Sequence, residues 1–151
     1  MKAAETTRNH VTIERVFDAP VELLWRIWTE PEFIMQWFGG DPNGTVISAE
    51  MNLSVGKVYK IKFADSNGSE HTAFGEFTLV EKAKRLHYSW EWLSEPGKIS
   101  NVEVEFLDMG DQSKLVLVHK NLHPDSSHEY QVGWTNAINK IDPIAKRRVK
   151  R

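Results

Sequence analysis

The middle of the chain alternates between apolar and polar residues. From residue 45 to residue 120 the period is mostly two, which is typical of half-buried β-strands. Six strands are predicted there, over residues 45–50, 57–64, 72–81, 85–92, 98–107 and 113–120. Val11, Ile13 and Phe17 alternate in the same way and predict one earlier strand. Short turn-forming segments separate most of the strands, so neighbouring strands should be antiparallel.

Helical spacing replaces this alternation on both sides of the strand region. After the first strand, an apolar stripe predicts a helix and consists of Leu23, Leu24, Ile27 and Trp28. Pro31 breaks that helix and starts a shorter one, which ends before Gly39. A second stripe predicts one long amphipathic helix near the end of the chain and consists of Tyr130, Trp134, Ala137, Ile138 and Ile141. Pro143 should kink or end that helix.

The hairpin connections predict which side chains share one face of the sheet. A two-residue turn at Lys82–Ala83 would bring three pairs together on that face, namely Leu79 with Leu86, Phe77 with Tyr88 and Gly75 with Trp90. The next hairpin would add two more pairs, Val102 with Tyr88 and Val104 with Leu86. The same face therefore continues across three strands.

The loop near Asn67 decides whether an earlier strand contributes to this face. Tyr59, Ile61 and Phe63 join it only if the loop holds three or five residues, since a two-residue turn would send them to the other face. The resulting inner face is rich in aromatic rings, from Phe77, Tyr88, Trp90, Trp92 and, with the odd-numbered loop, Tyr59. A curved sheet around one helix encloses a cavity where the fit is incomplete. The alternative is that these rings simply fill the core.

Composition fits one ordinary globular domain. The chain has 151 residues, of which 40% are hydrophobic and 26% are charged. It contains no cysteine, which excludes disulfides, thiol catalysis and thiolate metal sites. No apolar run approaches the ~20 residues of a membrane span, and the first ten residues lack the apolar core of a signal peptide. We therefore expect a cytoplasmic protein without a membrane span.

Charge is distributed unevenly along the chain. The formal net charge is −2, and five positive charges fall in the last six residues, which leaves −7 for residues 1–145. We expect a single domain over residues 1–145, followed by a solvated basic tail over residues 146–151. The acidic body is a poor surface for nucleic acid, so no nucleic-acid partner is expected.

Catalytic and cofactor motifs are missing from the sequence. It contains no phosphate loop, dinucleotide fingerprint, nucleophile elbow or zinc-binding helix. His119 and His123 have the spacing of metal ligands on a helix, but their segment is predicted to run from a strand into a loop. We interpret them as ordinary surface histidines. No catalytic residue, metal ligand or cofactor is predicted.

Several sequence blocks resemble one known family. The first block runs from Ala19 to Pro31 and continues in Gln36–Gly39, and the last is Gly133–Trp134. Between them lie Gly75–Phe77, Arg85–Leu86 and Trp90–Trp92. With these blocks the chain resembles homologues of the C-terminal domain of the activator of the heat-shock-protein-90 ATPase. That family belongs to the START-like (SRPBCC), helix-grip superfamily.

The resemblance covers residues 11 to about 141 and implies an α+β helix-grip fold. This fold has a seven-stranded curved antiparallel sheet, two short helices after the first strand and a long C-terminal helix over a cavity. Relatives in the superfamily bind or move lipids, sterols, polyketides and plant hormones, and some are cyclases. In the family, the region of Trp37 and Phe38 lies near the cavity mouth, where these rings would act either as a gate or as a hydrophobic plug.

Pattern and resemblance together favour a binding protein for a small hydrophobic or aromatic molecule, held between the sheet and the C-terminal helix in a monomer or homodimer. The residues expected to line the cavity are Trp37, Phe38, Tyr59, Ile61, Phe77, Tyr88, Trp90, Val102, Val104, Trp134 and Ile138. Two alternatives stay open. One is a co-chaperone in the stress response, with a heat-shock-protein-90-type ATPase as its partner. The other is a cyclase or hydrolase in the same cavity, which is less favoured because no inward-facing acid–base pair is evident.

Overall fold

Seven antiparallel strands and four helices form the part of the chain that the structure describes. The computed structural model describes residues 10–124, 126 and 128–149. In chain order the elements are β1 (Val11–Phe17), α1 (Val21–Thr29), α2 (Pro31–Trp37), β2 (Thr45–Met51), β3 (Val58–Ala64), β4 (Glu70–Glu81), β5 (Arg85–Trp92), β6 (Ser100–Met109), β7 (Gln112–Lys120), α3 (Tyr130–Asn139) and α4 (Ile141–Val149).

The strands form one curled sheet in the order β1-β7-β6-β5-β4-β3-β2. All neighbouring pairs are antiparallel, and β1 and β2 are the two edges. Alternating burial along β5 and β7 shows why the period-two pattern appears in the sequence, because one face of each strand packs against the core. The predicted α+β helix-grip fold is confirmed. Within the described residues, no helix is long and apolar enough to cross a bilayer.

The hairpin between β4 and β5 differs from the prediction in its turn. Glu81 pairs with Arg85, so the loop holds three residues, and Ala83 takes a left-handed backbone conformation with φ of 61°. The extra loop residue shifts the pairing by one, so that Leu79 faces His87, and Leu86 faces Val80. The predicted pairing of Leu79 with Leu86 is therefore wrong.

A β-bulge restores the predicted register further along the same hairpin. The pairing shifts between Phe77 and Leu79, so the bulge absorbs the extra loop residue and Phe77 faces Tyr88 as predicted. The pairs beyond the bulge have the same offset, which places Gly75 opposite Trp90. On the other side of β5, both predicted pairs are found, Tyr88 with Val102 and Leu86 with Val104.

The loop near Asn67 brings β3 onto the inner face. Ala64 pairs with Glu70, so five residues connect β3 and β4, one of the two lengths predicted. Tyr59, Ile61 and Phe63 are all at most 5% exposed. The aromatic face of the sheet therefore extends from β6 to β3.

The C-terminal helix is divided into two. α3 ends at Asn139, Lys140 forms a turn, and α4 begins at Ile141. Pro143 lies in the first turn of α4, where an α-helix needs no backbone N–H from it. The interruption thus precedes Pro143, whereas the sequence suggested that the helix would kink or end at this proline.

The basic segment from residue 146 is partly helical. α4 continues through Lys146, Arg147 and Arg148. Arg147 Nη2 donates to Gln36 Oε1 at 3.2 Å, and the Arg148 guanidinium lies 5.2 Å from the ring centroid of Phe33. These two arginines therefore contact α2 while remaining exposed to solvent. Lys150 and Arg151 lie outside the described residues.

Candidate functional site

A cavity of about 490 Å³ lies between the inner face of the sheet and α3. We call it the main cavity. Aromatic rings form much of its wall, from Phe38, Phe63, Trp90, Trp92, Tyr130 and Trp134. Polar side chains gather at one end, which we call the polar end, from Asp41, Asp65, Ser66, Asn67, His71, His128 and Glu129. An apolar wall with a few convergent polar groups is typical of small-molecule sites.

The loop after α2 forms one lip of the cavity because α3 holds it in place. Asn136 Nδ2 donates to the carbonyl oxygen of Gly40 at 2.8 Å. Lys140 Nζ donates to the carbonyl oxygens of Gly39 at 3.2 Å and Asp41 at 2.8 Å. Gly40 lies so close to α3 that a Cβ built on it would be 2.8 Å from the Cα of Gly133. Glycine is therefore required at position 40 for this contact.

Ring contacts fix the aromatic wall. Phe38 stacks on Trp90 with ring centroids 5.8 Å apart and meets Trp134 edge-on at 6.3 Å. Trp134 also stacks on Trp28 of α1 at 5.9 Å, which links the wall to the small helices. Offset and edge-on ring pairs of this kind are attractive and hold the rings in defined orientations.

A buried histidine supports the wall from behind. His119 is fully buried, and its Nδ1 accepts a hydrogen bond from the indole N–H of Trp134 at 2.9 Å. The neutral ring therefore carries its proton on Nε2, which donates to Ser100 Oγ at 2.8 Å. Burial lowers the pKa of His119 to about 3. The interpretation of His119 as a surface histidine is wrong, because His119 shares the inward parity of Leu115 and Leu117 in β7 and α3 covers it.

Trp90 carries a polar atom without a partner. Its side chain lines the main cavity, the residue is 4% exposed, and its Nε1 has no hydrogen-bond partner in the part of the chain that the structure describes. A buried donor of this kind costs about 1–3 kcal/mol if nothing accepts its proton. The atom is closed off from solvent and from the open space of the cavity, so the packing around Trp90 leaves it unsatisfied.

Two histidines and a carboxylate meet at the polar end. His71 Nε2 lies 2.8 Å from Asp65 Oδ2, and the rings of His71 and His128 meet edge-on at 5.6 Å. His128 stacks on Trp92 with centroids 3.8 Å apart, and the Trp92 indole N–H donates to Tyr130 Oη at 2.8 Å. Burial lowers the pKa of His128 below its ordinary value.

Asp41 remains charged in this setting. Its carboxylate accepts hydrogen bonds from the backbone N–H of Ser66 at 2.7 Å, from Ser66 Oγ at 2.8 Å and from the backbone N–H of Asn43 at 2.9 Å. These hydrogen bonds lower the pKa of Asp41 to about 2. The two hydrogen bonds from Ser66 tie the lip to the β3–β4 loop.

The eleven residues expected to line a cavity occupy three different places. Three of them line the main cavity, namely Phe38, Trp90 and Trp134. Five more lie around a second void of about 20 Å³, which Phe38 also touches, and these are Trp37, Tyr59, Ile61, Phe77 and Tyr88. The remaining three are fully buried and belong to neither wall, namely Val102, Val104 and Ile138.

Trp37 and Phe38 differ from each other despite being neighbours. Trp37 is 1% exposed, and its indole N–H donates to the carbonyl oxygen of Ile27 at 2.9 Å. It therefore anchors α2 to α1. Phe38 points to the main cavity and contributes to its wall.

Sequence reasoning missed the polar end. Asp41, Asp65, His71 and His128 come from three separate segments, and no spacing between them forms a motif. One signal was available. Once the loop near Asn67 holds five residues, His71 lies opposite Phe63 and thus on the inner face.

Comparison with known proteins identifies the family. Residues 18–146 match the family described as Activator of Hsp90 ATPase homolog 1-like protein. No curated protein is similar enough in sequence to count as a match.

Solved structures with low sequence identity share the fold. Protein NE0264 from Nitrosomonas europaea is 19% identical, with a TM-score of 0.80 over 94% of this chain and 97% of that one. Protein CV1439 from Chromobacterium violaceum is 18% identical, with a TM-score of 0.79 over 91% and 97%. An AHSA1-like protein from Aeromonas hydrophila is 20% identical, with a TM-score of 0.75 over 94% and 95%. Because the family match spans most of the chain, the protein belongs to the family of Activator of Hsp90 ATPase homolog 1-like proteins.

Proposed function

We propose that the protein binds a small hydrophobic or aromatic molecule in the main cavity. Membership of a family with ligand-binding domains supports this function in general terms. The aromatic wall supports it in particular, since each Å² of apolar ligand surface buried there contributes about 25 cal/mol.

One observation carries the proposal, namely that a cavity of about 490 Å³ lies within a core that is otherwise densely packed with rings. This volume is within the range of drug-sized ligand sites, roughly 300–1,000 Å³.

A titration with N-phenyl-1-naphthylamine tests the proposal. This uncharged probe becomes fluorescent in an apolar site, so we expect a saturable increase with one site per chain. At a free concentration of about 100 times Kd, binding should raise the free energy of unfolding by about 2.7 kcal/mol and the melting temperature by about 5–10 °C.

A matched pair of variants localises the binding. Ala137 lines the main cavity, so Ala137→Leu should fill part of it and weaken probe binding by about tenfold or more. Gln131→Leu introduces the same side chain at an exposed position of α3 and should leave the affinity unchanged. Failure of the probe to bind the wild type, or equal affinity for both variants, would refute the proposal.

One observation favours a second function, acid–base catalysis on a bound molecule. His71 and Asp65 form a hydrogen-bonded pair in the cavity wall, which is the arrangement of a general base with its orienting carboxylate. Hydrolysis of 4-methylumbelliferyl acetate above the buffer rate, abolished in His71→Ala, would support it. A rate equal to that of His71→Ala would exclude it for this class of ester.

A further inference from the structure

The polar end of the main cavity has an excess of negative charge. Three acidic residues belong to its wall, namely Asp41, Asp65 and the exposed Glu129, and the described residues of the wall include no lysine or arginine. The ammonium of Lys140 is nearby and donates to the carbonyl oxygens of Gly39 and Asp41 in the lip. Glu95 and Lys98 also act electrostatically on Tyr130 of the wall, with opposite charges, so the acidic residues remain in excess.

Two of the three carboxylates are fixed in position. Asp41 is held by Ser66 and Asn43. Asp65 is held by His71, whose ring also meets His128. A preorganised charge needs little reordering when a ligand of opposite charge arrives, so it discriminates between ligands more strongly than a mobile surface charge does.

The aromatic wall adds to the same preference. Trp90, Trp92, Trp134 and Phe38 surround the cavity next to the polar end, and Trp92 already stacks on the imidazole of His128. The faces of aromatic rings attract cations, by about 0.5–2 kcal/mol depending on how completely the site excludes water. Rings and carboxylates therefore act in the same direction on a charged ligand.

We propose that the main cavity selects positively charged aromatic molecules, namely amines whose ammonium group lies at the polar end and whose ring system lies against the tryptophans. This inference rests on the proposed binding function and specifies its ligand class.

Competition among three ligands of one shape tests this selectivity. 1-Naphthylmethylamine, 1-naphthylmethanol and 1-naphthylacetate share a ring system and are cationic, neutral and anionic at pH 8. Each is titrated against bound N-phenyl-1-naphthylamine at low salt. The amine should displace the probe at a concentration about fivefold or more lower than the alcohol, and the acetate should be the weakest. About 0.5 M salt should reduce the difference.

Charge variants assign the preference to the polar end. Asp65→Asn and Glu129→Gln should each reduce the amine-to-alcohol ratio by about twofold to fourfold. Asp111→Asn removes the same charge at the exposed β6–β7 turn, where the strands end opposite the cavity, and should not change the ratio. Equal affinity for amine and alcohol, or a preference for the acetate, would overturn the inference while leaving the binding function intact. Failure of the probe itself to bind would refute the binding function instead.

Discussion

Hydrogen bonds of the tryptophan indoles distinguish residues that look alike in the sequence. The N–H groups of Trp37, Trp92 and Trp134 each donate to a protein acceptor, whereas that of Trp90 does not. Trp90 and Trp134 are both almost fully buried in the same wall. Replacing either by phenylalanine removes a similar ring volume, so the two substitutions differ mainly in what happens to the polar atoms.

Trp134→Phe should destabilise the protein by about 1–3 kcal/mol more than Trp90→Phe. The first substitution leaves Nδ1 of the buried His119 without a donor, whereas the second removes a donor that has no partner. Urea unfolding of both variants and the wild type measures the difference. Equal losses of stability would show that the His119 hydrogen bond contributes nothing net.

His119 should make stability depend on pH in a defined direction. Its pKa is about 3 in the folded protein and near 6.5 in the unfolded chain, so between these values the unfolded state binds more protons. The free energy of unfolding should therefore fall as the pH falls below 6.5, and His119 alone should contribute about 2 kcal/mol of loss by pH 5. The lowered pKa of His128 acts in the same direction.

Urea unfolding of the wild type and of His119→Gln at pH 8 and pH 5 measures this contribution. Glutamine cannot titrate, so the variant should lose about 2 kcal/mol less than the wild type over this range. The carboxylates are common to both proteins and cancel in the comparison. The same pH dependence in both would contradict a buried, neutral His119.

At the scale of elements, the contact between the lip and α3 depends on two glycines with different requirements. A Cβ on Gly40 would lie 2.8 Å from backbone of Gly133, whereas a Cβ on Gly133 would meet Gly40 at an ordinary 3.9 Å. The lip loop is therefore the partner that cannot accept a side chain.

Gly40→Ala should destabilise the protein by about 1–3 kcal/mol, because the loop must move away from α3. Gly133→Ala should be neutral or should stabilise the protein by up to about 1 kcal/mol, since alanine favours a helix interior. Thermal unfolding of the two variants checks the contrast. A stable Gly40→Ala protein with unchanged probe binding would show that the lip is not held closely against the helix.

The elements themselves follow from local patterns. All seven strands were predicted because one face of each packs against the core and produces a period of two. The three-residue loop at Ala83 and the bulge after Phe77 were not predicted. Their effects on the register compensate each other, so the pairing of Phe77 with Tyr88 is the same with both as with neither. The interruption of the C-terminal helix at Lys140 was also not predicted, because the apolar stripe of that helix continues past Lys140 to Ile141.

At the scale of the whole molecule, the cavity could be predicted only in part. The aromatic wall follows from strand register, which the sequence pattern specifies through the inner face of the sheet. The polar end assembles Asp41, Asp65, His71 and His128 from loops and a strand end, whose positions depend on tertiary packing. Register likewise does not distinguish rings that face an opening, such as Trp90, from rings that fill the core, such as Phe77.

Indole N–H signals in a ¹H–¹⁵N spectrum test the central claim, that the main cavity is a binding site. The six tryptophans provide six probes, which single Trp→Phe variants assign. During titration with N-phenyl-1-naphthylamine, we expect the signals of Trp90, Trp92 and Trp134 to move together and to saturate. The signal of Trp25, which packs edge-on against Phe106 at 5.1 Å and lies outside the cavity wall, should stay in place. The account would be contradicted if the Trp25 signal moved while the Trp90 signal did not. It would also be contradicted if none of the three cavity signals moved at a saturating probe concentration.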